Sequence, residues 1–156
     1  MRCYTKTECE HWLADRKRQK PNEVEVTSKV SIEPGANELP YLTHWISSNL
    51  THRQGVLLWI TEWGIWPSSE NWHLFYRLRQ SYGEHRLLHE APGHLFLNCE
   101  YDDLATFLQV AILNGWGGYV LTEADYVNVF FSHDEYVDFL ASDDQNLNVI
   151  REMLKR

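Results

Sequence analysis

The run Gly-Val-Leu-Leu-Trp-Ile-Thr-Glu-Trp-Gly-Ile-Trp at residues 55–66 constrains the fold more than any other stretch. It is rich in β-branched and aromatic residues, and its first half has no polar face to turn to water. Such a segment is stable only as a central strand covered on both sides. The chain therefore needs one sheet with helices packed against it, and the other segments must supply the neighbours and the covers.

Those segments can be read in order. Thr7-x-x-Glu10 predicts a capping box opening a helix to about Arg18, with Trp12 and Leu13 turned inward. Val24, Val26, Ser28, Val30 and Ile32 alternate with Glu23, Glu25, Thr27, Lys29 and Ser31, which predicts a half-buried strand ending at Pro34-Gly35. Leu39, Leu42, Trp45, Ile46 and Leu50 recur at helical spacing, with Pro40 in the first turn. Pro67 stops the central strand, Ser68 or Ser69 starts a helix to about Tyr82, and Gly83 ends it. A strand follows at His94–Cys99. Asp102 and Asp103 then open a helix whose stripe is Leu104, Phe107, Leu108, Ala111 and Ile112, with Gly115 as its stop. Tyr119–Thr122 and Tyr126–Phe131 predict two strands joined through Glu123-Ala124-Asp125. Ser132-x-x-Glu135 predicts a second capping box and a helix through Tyr136, Val137, Phe139 and Leu140; a last helical segment from Ser142 carries Leu147, Ile150 and Leu154. The expected fold is a single domain, 1–156, of class α/β or α+β. Its sheet should be a single mixed one of about five strands, ending in a β-hairpin and packed with about five helices.

The net charge of −8 is unevenly placed. Residues 1–99 carry eleven acidic and eleven basic side chains, whereas residues 100–156 carry eleven acidic and three basic. The negative excess thus lies in the last third, where it suits a basic partner and repels nucleic acid. No apolar run approaches the roughly 18 residues of a membrane-spanning helix. The N-terminal stretch has no apolar core of a secretory signal, and Cys3, Cys9 and Cys99 match no paired spacing. A cytoplasmic protein with free thiols is the expectation.

His-Glu-Ala-Pro-Gly-His, residues 89–94, resembles a zinc-protease motif at a glance. That motif needs histidines four apart on a helix, and here they are five apart with Pro92 and Gly93 between them. The peptidase geometry fails, and a turn entering a strand accounts for the segment. A looser zinc site from His85, His89, Glu90 and His94 is the alternative, and it would make the chain a small metal-dependent hydrolase. His133 beside Asp134 is a candidate acid–base pair, although helix capping accounts for Ser132, Asp134 and Glu135. Gly115-Trp116-Gly117-Gly118 follows a helix rather than preceding one, so it is a turn and not a phosphate loop.

Seven tryptophans distinguish the composition, and Trp66-Pro67-Ser68-Ser69-Glu70-Asn71-Trp72 places two of them in a predicted loop. In size, acidity and tryptophan content the chain resembles the small cytoplasmic immunity proteins that bacteria pair with secreted toxins. That resemblance implies a non-enzymatic domain binding another, basic protein, and it transfers no individual residue. The candidate anchors are Trp66, Trp72 and Trp116, and the candidate steering charges are Asp102, Asp103, Glu123 and Asp125. No cofactor is expected on this reading. A homo-oligomer joined through the same aromatic patch is a third alternative.

Overall fold

The structure, a computed structural model, describes residues 1–16, 28–50, 55–64, 72–97, 99–122, 127–141 and 143–154. Trp66, Glu123 and Asp125, and the expected strand residues before Ser28, lie outside them. In chain order the elements are β1 (Arg2–Tyr4), α1 (Lys6–Asp15), β2 (Ser28–Ile32), α2 (Leu39–Leu50), β3 (Val56–Glu62) and α3 (Trp72–Ser81). There follow β4 (Gly93–Phe96), α4 (Tyr101–Leu113), β5 (Gly117–Thr122), β6 (Asn128–Phe131), β7 (Val137–Ala141), a 3-10 turn (Asp144–Leu147) and α5 (Asn148–Leu154).

The fold is mixed α+β with one open sheet, but the sheet has seven strands rather than about five, in the order β1-β4-β3-β5-β6-β7-β2. Every neighbouring pair is antiparallel, so the expected mixed sheet is corrected too. Strand β3 does sit centrally, between β4 and β5. Its alternate residues divide the interior. Val56, Leu58 and Ile60 face a large core with Phe75, Phe107, Trp116 and the α2 residues Leu42 and Ile46. Leu57 and Trp59 face a smaller cluster with Cys9, Trp12 and Leu13 of α1. These first five residues of β3 are at most 7 % exposed, as a strand covered on both faces requires. Among the described residues no helix is long and apolar enough to cross a membrane.

Local chemistry explains where expectation and structure part. The first helix is capped by Thr5 and Glu8 rather than Thr7 and Glu10: the Glu8 amide donates to Thr5 Oγ1 at 3.2 Å, and the Thr5 amide donates to Glu8 Oε2 at 2.7 Å. The expected helix after Ser132 is instead strand β7. Ser132-x-x-Glu135 closes a three-residue hairpin loop, in which the Glu135 amide donates to the Ser132 carbonyl at 3.2 Å and Ser132 N to the Tyr136 carbonyl at 2.9 Å. Glu135 takes the left-handed conformation, φ 66°, that completes such a loop. Beyond it Val137, Phe139 and Ala141, at the period of a strand, join the large core, while Asp138 between them is buried with bonds to Lys29 and Ser31 of β2.

Gly93 allows α1 to approach the sheet. A β-carbon on it would lie 2.2 Å from Cys9 Sγ and 3.1 Å from Tyr4 Cβ. Gly93→Ala should lower stability by roughly 1–3 kcal/mol through overpacking. Cys9→Ala should recover part of that loss, because the two sites share one contact. Denaturant unfolding of the single and double variants measures both; equal losses in the two backgrounds would contradict this packing.

Candidate functional site

The histidine segment is a structural turn. Its backbone is held from four sides: Arg79 Nη2 donates to the Ala91 carbonyl at 3.1 Å, Leu88 N to the Tyr76 hydroxyl at 3.0 Å, Leu87 N to Glu90 Oε2 at 2.7 Å, and Ile60 N to the Pro92 carbonyl at 3.2 Å. The chain then enters β4, and His94 turns into the large core. Its ring meets Phe75 at 5.4 Å and Phe107 at 5.5 Å, with no exposure to solvent. His85, His89 and Glu90 stay exposed in the loop. The expected ligand set is therefore not assembled, since its fourth member faces the core. Among the described residues no group of three His, Cys, Asp or Glu side chains is placed to hold a metal.

Burial, with the positive charge of Arg79 second, pushes the His94 imidazole down to about 3. Arg79 is itself wholly buried. Besides Ala91 it has the Tyr76 ring 5.6 Å from its guanidinium carbon, while its Nε and Nη1 have no hydrogen-bond partner.

The expected anchors and charges divide. Trp116 is corrected from surface anchor to core residue, with no exposure, packed on Phe75 at 4.9 Å and Trp72 at 5.8 Å. The cause is the end of α4. Gly115 sits at φ 62°, Gly115 N donates to the Ile112 carbonyl at 2.9 Å and Trp116 N to the Ala111 carbonyl at 3.1 Å. This paired closure folds the second residue past the cap back against the helix. Trp72 is half-buried. Asp102 is exposed and Asp103, half-buried, bonds the Tyr82 hydroxyl. Both stand at the N-terminal end of α4.

The other end of α4 is where side chains of chemical interest converge. The helix runs from Tyr101 to Leu113, so this end lies about 16 Å from Asp102 and Asp103. Here the end of α4 and the β6–β7 loop line a cleft of about 370 Å³. One wall is Ile112, Leu113 and Asn114; the other is His133, Asp134 and Glu135. His133 Nδ1 bonds Glu62 Oε2 at 2.8 Å, and its Nε2 is 3.6 Å from Asp134 Oδ1. Glu62 follows a bulge in β3, where the pairing skips from Ile60 to Glu62. Gly117 leaves its carboxylate room, because a β-carbon there would lie 2.7 Å from Glu62 Oε2. Bulges and left-handed non-glycine residues cost energy and recur where a side chain must be aimed. Two further observations mark the cleft. Leu113 is 60 % exposed, and Asn114 is 94 % buried with its Nδ2 unpartnered.

His133 and Asp134 had a signal in the sequence. Glu62 and Asn114 had none, since Glu62 meets His133 across 71 residues and Asn114 looks like an ordinary helix end.

Two outcomes test this geometry. His94 is neutral in the fold and takes a proton near 6.5 once unfolded, so acid favours the unfolded chain. Its contribution is present above pH 6.5 and is lost as pH falls from there toward about 3. Between pH 6.5 and 5, His94→Phe should flatten the loss of stability by up to about 1.4 kcal/mol per pH unit; an unchanged slope would contradict a buried neutral ring. Glu135→Gly should raise stability by roughly 0.5–1 kcal/mol by removing the left-handed strain, and a loss on chemical unfolding would contradict the loop conformation. No family model matches the chain, and neither a curated protein nor a solved structure significantly similar to it was found.

Proposed function

We propose that the chain is a non-enzymatic protein-binding domain that takes a basic partner protein at the acidic cleft between the end of α4 and the β6–β7 loop. One observation carries the reading. Glu62, Asp134 and Glu135 gather at one end of the sheet, and among the described residues only His133 lies within ion-pair distance of any of them. Such like-charge gathering opposes folding unless something compensates it, and a cationic partner would do so on binding.

The surroundings support the same reading. Leu113 and the half-buried Trp63 and Trp72 lie toward this end of the sheet, an apolar fringe beside the charge. Asp102 and Asp103, at the far end of α4, would contribute to long-range steering rather than to contact. Cys3, Cys9 and Cys99 are free thiols, as a cytoplasmic setting would suit.

Affinity capture from the source cells, with the wild type and with Asp134→Asn/Glu135→Gln, tests the proposal. The expected result is a basic protein retained at low salt, released as salt rises, and lost by the double variant. Equal retention by the two baits, or no basic protein retained by the wild type, would contradict it.

A further inference from the structure

We infer that the free edge of β2, together with the cavity at its end, takes an extended peptide segment in which an apolar side chain is flanked by basic ones. This surface is separate from the cleft beside α4, and the inference does not rest on the role proposed for that cleft. Three observations of different kinds select the occupant.

The first is the edge itself. Strand β2 is the last in the sheet order, and among the described residues only β7 pairs with it. An edge strand presents a row of backbone N–H and C=O groups that a further extended chain can pair with. Sheets usually guard such a row with a proline, a bulge or a projecting lysine. Here the register with β7 is unbroken from Ser28 to Ile32, and no proline falls within it. Lys29 Nζ donates to Asp138 Oδ2 at 3.1 Å and Ser31 Oγ bonds the same carboxylate, so both side chains are drawn back toward β7. The edge is left open in the geometry of strand addition.

The second is the cavity. A space of about 560 Å³ opens between the end of β2, the start of α2 and Met153 of α5. Ile32, Pro34, Leu42 and Met153 give it a mainly hydrocarbon lining, and the Tyr41 side chain at its wall is on a residue 52 % exposed. In an added strand, the residue opposite Ile32 shares its face of the sheet, with the two β-carbons about 5 Å apart. Its side chain therefore meets the cavity that Ile32 lines. Backbone pairing then supplies affinity, and the cavity supplies selectivity for an apolar residue.

The third is charge. Glu38 lines the cavity and Glu33 lies between Ile32 and Pro34; both are exposed, and no basic side chain lines the space. Glu38 Oε2 accepts the Gly35 amide at 3.0 Å, and among the described residues neither carboxylate has an ion-pair partner. Basic residues on either side of the apolar one complement this rim. The same charge disfavours a second copy of the chain as the occupant, since each copy carries a net charge of −8.

The probe is the peptide acetyl-Arg-Thr-Leu-Thr-Arg-amide, whose Arg and Leu side chains share one face when it is extended. It is titrated into the ¹⁵N-labelled full chain and followed by amide chemical shifts. Residues 28–34 and 38–42 should be perturbed. Replacing the peptide's Leu by Ala should weaken binding about 10-fold or more, through lost apolar burial. Methylating the amide nitrogens of Leu and of the Thr after it removes an inward-facing donor in either alignment, and should weaken binding about 3- to 10-fold. Tyr41→Lys, at an exposed position, should also weaken it; Glu33→Gln serves in its place if that variant loses amide dispersion. The inference is overturned if residues 28–32 do not respond, or if the response is confined to residues 133–135, which is attraction of the cations to the other cleft. It is equally overturned if the Ala or the methylated peptide binds as well as the parent. Shifts at residues 28–32 that change on dilution without peptide would assign the edge to a second copy and overturn it too.

Discussion

The left-handed closure at Gly115 couples the interior of this protein to its most chemically active surface. It ends α4, sends Trp116 into the aromatic core against Phe75 and Trp72, and leaves Asn114 in the cleft wall. With Gly117 and Gly118 it also brings β5 hard against β3. A β-carbon on Gly118 would lie 2.4 Å from the Trp59 carbonyl, so only glycine permits that approach. The position of Glu62, and hence of His133, follows from the same close packing, because Gly117 makes the space into which the Glu62 carboxylate turns.

Around this junction the sheet is organised by β3, which is buried on both faces. The helix-covered side carries an aromatic cluster in which Phe75 meets His94, Phe107 and Trp116 within 5.5 Å. Edge-on ring packing of this kind fixes relative positions more tightly than aliphatic contacts do. Neutral His94 belongs to this cluster, and so does the structural role of the segment before it. A motif that suggests metal chemistry is here a device for bringing the chain into β4 and for letting α1 rest on Gly93.

Much of the architecture was legible because burial dictates period. The apolar run at β3 required two covers, the α4 stripe of Leu104, Phe107, Leu108 and Ala111 is buried as its spacing implies, and Gly83 and Gly115 both end helices in left-handed turns. Strand direction and adjacency were not legible. Helices α3 and α4 each lead to a strand beside β3, and β3 is antiparallel to both. Alternation of helix and strand leaves that choice open. Strand β1 has no signature because three residues make no pattern. Strand β7 was hidden because Ser132 and Glu135 have the spacing of a helix cap, whereas here they close a hairpin. The cleft was half legible: its acidic loop lies in the acidic third of the chain, but Asn114 joins it only through the helix end, and Glu62 meets His133 only through sheet pairing.

Acidic residues thus lie at both ends of α4, and the account assigns contact to one end and steering to the other. Zero-length carbodiimide cross-linking of the protein to its captured basic partner, mapped by mass spectrometry, separates the two directly. Links through Asp134 or Glu135 to partner lysines are the predicted result. Links confined to Asp102 and Asp103, with none at the β6–β7 loop, would contradict the assignment of the cleft as the binding surface.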